Sequence, residues 1–196
     1  MSPDFDAWDS WTPQVLADRL AGLDVPWYVA GGWAIDLFRG EQTREHEDVE
    51  IAVPADRFDD VADRFPDCDF YVAGDGKAVS LSPEALATYH QTWAWQRSAG
   101  VWRFDVFREP YDGATWICRR NRQIRRPYAE IIRYSADGIP YLCPEVVLLF
   151  KAKSDRDKDR IDFEGTVPLL SSDERRWLKD ALDVVHPQHP WFARLR

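Results

Sequence analysis

The sequence predicts an α/β protein with a small helical C-terminal part. Two observations predict the α/β portion: short apolar strand-like runs alternate with helix-period segments up to residue 66, and aromatic-rich strands fill the middle of the chain. A third predicts the helical part, because the segments after Pro144 carry helical spacing. The boundary falls near residue 139, giving region 1–139 and region 140–196 packed on it.

The elements follow in order. Thr12 caps a helix, Pro13 suits its first turn, and Val15, Leu16 and Leu20 recur at helical spacing until Gly22 and Pro26 end it. Trp27 to Ala30 is a short apolar strand. Gly31-Gly32 breaks it, and Trp33 to Phe38 reads as a helix closed by Gly40. Asp48 to Val53 alternates with period two, which places Val49, Ile51 and Val53 on one face. Asp56 to Phe65 is an amphipathic helix stopped by Pro66. Asp69 to Val72 and Lys77 to Leu81 flank a Gly74-Asp75-Gly76 turn, and Ser82-Pro83-Glu84 opens a short helix. Thr92 to Arg97 and Val101 to Phe107 are strands joined by Ser98-Ala99-Gly100, and Trp116 to Arg119 is another. Helical segments cover Glu145 to Lys153, Asp159 to Glu164 and Asp173 to Val185.

Composition removes several classes. Hydrophobic residues make up 45% of the 196, too many for a disordered chain, and no run approaches the roughly 18 apolar residues of a membrane span. Met1-Ser2-Pro3-Asp4-Phe5-Asp6 has no basic segment of a secretory signal. The three cysteines, Cys68, Cys118 and Cys143, lie far apart without a C-x-x-C, so reduced thiols and a cytoplasmic protein are expected. No Cys/His cluster has zinc spacing. The net charge of -9 argues against a broad basic face for nucleic acid. That charge is uneven: residues 1–98 carry 7 basic and 19 acidic side chains, residues 99–196 carry 18 and 15. A cleft with opposed walls and two ordinary solvated surfaces are both compatible with this split.

The chemistry concentrates between Tyr28 and Val53. Adjacent glycines after a strand let backbone N–H groups approach a phosphate, and the next helix N-terminus adds a favourable dipole. Asp48 and Glu50, at i and i+2 on a strand, project from the face opposite the aliphatic residues. Such a pair can hold Mg²⁺; a solvated strand edge is the other reading. In Trp102-Arg103-Phe104-Asp105-Val106-Phe107 a lone carboxylate stands among aromatics. Beside Asp48 and Glu50, Asp105 completes a three-carboxylate site where two Mg²⁺ ions could clamp a phosphoryl transfer, or it accepts a hydroxyl proton. As an ordinary outward polar residue it would do neither.

These residues carry a resemblance. Gly31-Gly32-Trp33-Ala34-Ile35-Asp36-Leu37 and Thr43-Arg44-Glu45-His46-Glu47-Asp48-Val49-Glu50 resemble the 2''-adenylyltransferase-type aminoglycoside nucleotidyltransferases, within the DNA polymerase β-like nucleotidyltransferase superfamily. The pattern continues through Asp105, Tyr141 to Glu145, Leu149 to Lys153 and Lys158-Asp159, so it spans roughly residues 27–163. The resemblance implies a nucleotidyltransferase fold, a mixed sheet flanked by helices, with residues 1–139 as catalytic domain. It implies Mg²⁺, ATP or another nucleoside triphosphate, and transfer of the nucleoside monophosphate to a hydroxyl with release of pyrophosphate. Gly31 and Gly32 match the phosphate-contacting pair, Asp48 and Glu50 the metal ligands, and Asp105 the third carboxylate, ligand or base. Lys151 matches a lysine near the triphosphate. Glu50 stands where drug-modifying members usually carry Asp.

Arg44 and Thr43 precede the acidic strand; Arg44 can grip a phosphate or sit in a solvated loop. His46 either orients a carboxylate or ties the loop, and Asp36 reads as a bond to the 43–46 loop. The acceptor expected is a small hydroxylated molecule, an aminoglycoside or lincosamide antibiotic among them, and the acidic N-terminal half would steer a polycation. Trp33, Trp93, Trp95 and Trp102 are pocket wall or core. Arg119, Arg120, Arg122, Arg125 and Arg126 form a dense cluster that would suit a protein or tRNA acceptor, as in toxin-like members. A non-catalytic nucleotide-binding member is the third reading. The oligomeric state is not legible in the sequence.

Overall fold

The computed structural model describes residues 3–154 and 156–195. Met1 and Ser2 of the N-terminal hexapeptide lie outside them. The chain opens with α1 (Pro13–Arg19), whose cap Thr12 accepts from Val15 N–H as its position predicts. Then come β1 (Tyr28–Val29) and α2 (Gly31–Arg39), closed by Gly40 in the left-handed conformation. The two glycines are therefore the first turn of α2 rather than a break before it. β2 (Glu50–Pro54) begins two residues later than the alternation suggests, because Asp48 still belongs to the loop. A 3₁₀ turn (Ala55–Arg57) and the short α3 (Phe58–Ala62) replace the longer helix expected up to Pro66.

β3 (Cys68–Gly74) and β4 (Lys77–Ser80) form a hairpin through Asp75 and Gly76, both at positive φ, which matches the strand twist. After α4 (Pro83–Thr88) come β5 (Gln91–Gln96) and β6 (Val101–Glu109). A small sheet follows, of β7 (Tyr111–Asp112), β8 (Thr115–Ile117) and β9 (Arg125–Pro127). Next are α5 (Tyr128–Ile131), β10 (Ile132–Tyr134) and β11 (Pro140–Leu142). The chain ends with α6 (Pro144–Lys151), α7 (Asp157–Thr166) and α8 (Ser172–Val185), α8 opening on a full Ser171/Glu174 capping box.

Among the described residues the main sheet has eight strands in the order β10-β11-β1-β2-β6-β5-β3-β4. It is mixed: β1–β11 and β2–β6 are parallel, the remaining neighbours antiparallel. The sheet thus takes one strand, β11, from beyond residue 139. Register decides what each face carries. Ile51 pairs with Val106 and, with Val53 and Phe104, forms a buried face on which Trp11 stacks against Phe104 and Phe65 meets it at a tilt. The other face presents Tyr28, Glu50, Ala52, Asp105 and Phe107. There α6 closes over the sheet; its residues Pro144 to Leu149 are all buried, and it packs against α2, α7 and α8. One hydrophobic cluster runs from Leu16 to Leu195. No helix among the described residues is long and apolar enough to cross a membrane.

The tryptophans divide. Trp102 is fully buried, and Trp8, Trp93 and Trp95 meet its ring at centroid distances of 6.2, 5.4 and 4.8 Å, an aromatic knot rather than a lined cavity. Trp33 stacks on His46. The three cysteines are free and buried.

Candidate active site

The parallel β2–β6 pairing brings distant carboxylates together. Glu50 and Asp105 are register partners, and Asp105 N–H donates to the Val49 carbonyl at 2.9 Å. Paired residues share a face, so both acids point to the α6 side, with Asp48 two residues before Glu50. Burial is what these acids have in common. It pushes Glu50 up to about 7, with the Asp48 charge adding to the rise. Burial also raises Asp48, against the pull of Lys158. Asp105 is 1% exposed and raised well above the usual carboxylate range, first by burial and then by the Glu50 and Asp48 charges. Its Oδ2 accepts from Gln91 Nε2 at 2.6 Å and its Oδ1 from Thr92 N–H at 3.2 Å, which draws it back.

Gly31 explains itself beside Glu50. It has φ +59, a left-handed value that favours glycine, and a Cβ there would overlap Glu50 Oε2. The carboxylate lies against the first turn of α2. Gly32 is needed for another reason: a Cβ would run into Arg44 and His46. So within this structure the glycine pair admits side chains of the next loop.

That loop is tied down. Asp36 accepts from Thr43 Oγ1 at 2.6 Å and bonds His46 Nε2 at 2.5 Å, the imidazole and the acid both almost fully buried. Burial alone would raise Asp36, but the His46 and Thr43 bonds lower it. This is the loop bond the sequence suggested for Asp36, and it is where His46 goes. Arg44 reaches across to α7 and pairs with Asp162 at 3.2 Å. Lys151, at the end of α6, pairs with the same Asp162 at 2.8 Å and with Asp159 at 3.3 Å. Arg156 holds Asp159 at 2.7 Å. Arg44 and Lys151 therefore meet on one buried acid.

A cavity opens on this sheet face. Glu50, Gly31 and Lys151 line it; Asp48, Asp105, Gly32 and Arg44 are not among its lining residues. Its walls are Tyr28, Ala52, Phe107, Leu142, Val147 and Phe150, and Arg119, Arg120, Arg156 and Glu109 bring further charge. The arginine cluster splits accordingly. Arg119 pairs with buried Glu109 and lies over the Phe150 ring at 4.1 Å. Arg120 donates to the Leu149 and Phe150 carbonyls at the end of α6, at 2.9 and 2.6 Å. Arg126 is engaged by Glu145 at 2.7 Å, and Arg125 lies 3.8 Å from Asp112.

For Mg²⁺ the donor chemistry fits at Asp48 and Glu50: hard oxygen donors, both raised by burial, with the Asp48 charge raising Glu50 and the Glu47 charge raising Asp48. No set of three His, Cys, Asp or Glu side chains among the described residues is arranged as a ready metal site, and both Asp105 oxygens are engaged. The His186/His189 tail forms no such set either. Sequence reading missed Glu109, Gln91, Arg156 and Asp162. Glu109 was legible in principle, since Asp105, Phe107 and Glu109 share a face by period two; the strand simply runs two residues further than its apolar pattern.

Comparison with known proteins addresses the same residues. A family model described as aminoglycoside-2''-adenylyltransferase matches residues 14–90, which include the glycine pair, the 43–46 loop, Asp48 and Glu50. The chain is similar to the aminoglycoside-2''-adenylyltransferases. The resemblance drawn from the motifs is borne out. No curated protein matches the chain. Among solved structures, ANT(2'')-Ia in complex with adenylyl-2''-tobramycin shares the fold at TM-score 0.57 and 14% identity, over 88% of this chain and 93% of that one. The lincosamide antibiotic adenylyltransferase LnuA, lincomycin-bound, shares it at TM-score 0.55 and 18% identity, over 80% and 96%. An antigenic nucleotidyltransferase-like protein from Paracoccidioides brasiliensis follows at TM-score 0.51 and 18% identity, over 92% and 88%. At these identities the likeness establishes the nucleotidyltransferase fold, a mixed sheet with flanking helices as expected.

Proposed function

We propose that the protein is an Mg²⁺-dependent nucleotidyltransferase that moves a nucleoside monophosphate from ATP or another nucleoside triphosphate to a hydroxyl of a small antibiotic-like molecule. The observation that carries this reading is the β2–β6 register, which sets Glu50 opposite Asp105 and next to Gly31 at a cation-lined cavity. The similarity to aminoglycoside-2''-adenylyltransferases supports an aminoglycoside acceptor, and the likeness to LnuA adds lincosamides as a class to test. Residues 1–139 would carry the chemistry, with 140–196 contributing Lys151.

Asp48 and Glu50 would hold Mg²⁺, which supplies charge neutralisation on the phosphates and on the leaving pyrophosphate. Lys151 and Arg156 line the cavity and would turn from Asp159 and Asp162 toward the triphosphate. Gly31 keeps the space that Glu50 needs. Asp105 would accept the acceptor hydroxyl's proton as its oxygen bonds to the α-phosphorus and the bond to the pyrophosphate oxygen breaks. A macromolecular acceptor has less behind it, since Arg119, Arg120 and Arg126 already have intramolecular partners.

The test is incubation with Mg²⁺, labelled nucleoside triphosphates and a panel of aminoglycosides and lincosamides. Pyrophosphate release with label on one antibiotic is expected. Intact nucleotide binding without turnover on any acceptor would overturn the small-molecule reading. Label on macromolecules of a lysate instead would favour a protein or tRNA acceptor.

A further inference from the structure

A second recess has no part in the chemistry proposed above. It measures about 660 Å³ and is built by the ends of α4, β6, α6 and α8. Arg108, Arg119, Arg120, Lys153, His90 and His186 line it, and no acid is among its described lining residues. Arg119 and Arg120 also line the cavity at Glu50, so the two spaces are neighbours.

The positive charge of this recess is not neutralised from within. Arg108 donates to Thr92 Oγ1 and to the Leu86 carbonyl, each at 2.9 Å, and to the Tyr89 carbonyl. Arg120 donates to two carbonyls of α6. These partners occupy N–H groups but carry no charge; of the three arginines, Arg119 alone is paired with an acid, Glu109. Burial lowers Arg108, and it lowers Arg120 to about 10 with the Arg119 charge adding to the fall. His90 registers the same excess. Burial pushes its imidazole down to about 4, and Arg119, Arg108, Lys153 and Arg120 all push the same way. Buried charge without a counter-ion is costly to a fold, and an incoming anion offsets that cost.

Two groups are left to touch such an anion. The exposed Lys153 ammonium and the His90 ring have no hydrogen-bond or ion-pair partner among the described residues. The arginines thus supply potential, while Lys153 and His90 supply donors. We propose that this recess is an anion-binding site for a phosphate group, with Lys153 and His90 as its contacts and the charge of Arg108, Arg119 and Arg120 behind them. A phosphate offers up to two charges and several acceptor oxygens on one compact group, which suits cations gathered around a small space. The inference goes beyond the nucleotidyl-transfer reading, since the site needs neither a metal nor Asp48, Glu50 and Asp105. The phosphate has two possible sources: free pyrophosphate, or a phosphate carried on a sugar-like acceptor.

The test is calorimetric titration of the full chain in buffer with EDTA, using inorganic pyrophosphate, glucose 6-phosphate and, as the neutral control, glucose. At least one of the two phosphates should bind and glucose should not. Lys153→Ala, at an exposed side chain, should weaken that binding about tenfold, Lys153→Arg should restore most of it, and Arg156→Ala in the neighbouring cavity should leave it unchanged. In NMR spectra the ring signals of His90 and His186 should move on binding while those of His46, buried against Asp36, stay in place; His90→Gln assigns the His90 signal. Tighter pyrophosphate marks the free anion as the source, and tighter glucose 6-phosphate marks the acceptor. Absence of phosphate binding, equal binding by Lys153→Ala, or a still His90 signal would overturn the site. Failure of nucleotidyl transfer itself would appear only with Mg²⁺ and nucleotide, so the two outcomes are distinct.

Discussion

Two groups of buried acids, Asp36 with Asp162 and Asp48 with Glu50 and Asp105, behave in opposite ways. Asp36 and Asp162 are finished. Asp36 has Thr43 and His46, Asp162 has Arg44 and Lys151, and in both the partners overcome burial and lower the proton affinity. Asp48, Glu50 and Asp105 are unfinished. Burial raises all three; the Asp48 charge adds to the rise at Glu50, and the Glu50 and Asp48 charges add to it at Asp105. Buried carboxyl groups thus hold a loop in one place, and in the other are raised because no cation there offsets burial. Ionising buried acids destabilises a fold, and under the proposed function a cation with a substrate phosphate would remove that cost.

The contrast can be broken by substitution. Asp105→Asn should lower turnover by about 10²–10⁴-fold, the range for losing a positioned base, with the fold intact by circular dichroism. Asp36→Asn should instead leave metal dependence unchanged and lower stability by about 1–3 kcal/mol in denaturant unfolding, since Thr43 and His46 lose a charged acceptor. If Asp36→Asn silences turnover without loss of stability, the division between the two groups is wrong.

The pH dependence of stability sharpens it further. Glu50 binds its proton more tightly folded than unfolded, so its contribution to stability is lost as pH rises from about 4.5 through about 7. Asp36 has the opposite sign: its contribution is present at neutral pH and is lost as pH falls through its lowered value. In metal-free buffer wild type should lose about 2 kcal/mol between pH 5 and pH 8 that Glu50→Gln does not lose. A flat profile in both would contradict the raised Glu50. The smallest effect is expected at the glycines. Gly40→Ala and Gly31→Ala each force a side chain to positive φ, at about 1–2 kcal/mol. Only Gly31→Ala should also lower turnover, because its Cβ displaces Glu50 while Gly40 faces open space.

The reach of the sequence follows the same physics. Gly31, Glu50 and Asp105 were legible because their reasons are local: positive φ, alternation, one acid among aromatics. The β2–β6 register was not, since β2 and β6 are some fifty residues apart and pairing is set by packing. β9, β10 and β11 were missed because they are three residues long and two of them carry proline. The partner of Lys151 was hidden too. Its charge suggested phosphate, and only the approach of α7 shows it shared between Asp159 and Asp162. The charge asymmetry now has a place: the acids of the first half and the cations of the second face each other across the cavity at Glu50, Lys151 and Arg156.

The most direct measurement is Mg²⁺-dependent pyrophosphate release by wild type and Asp48→Asn, side by side on the antibiotic that wild type modifies. The account predicts robust release by wild type and none above background from a folded Asp48→Asn. Equal release by the two proteins would contradict it.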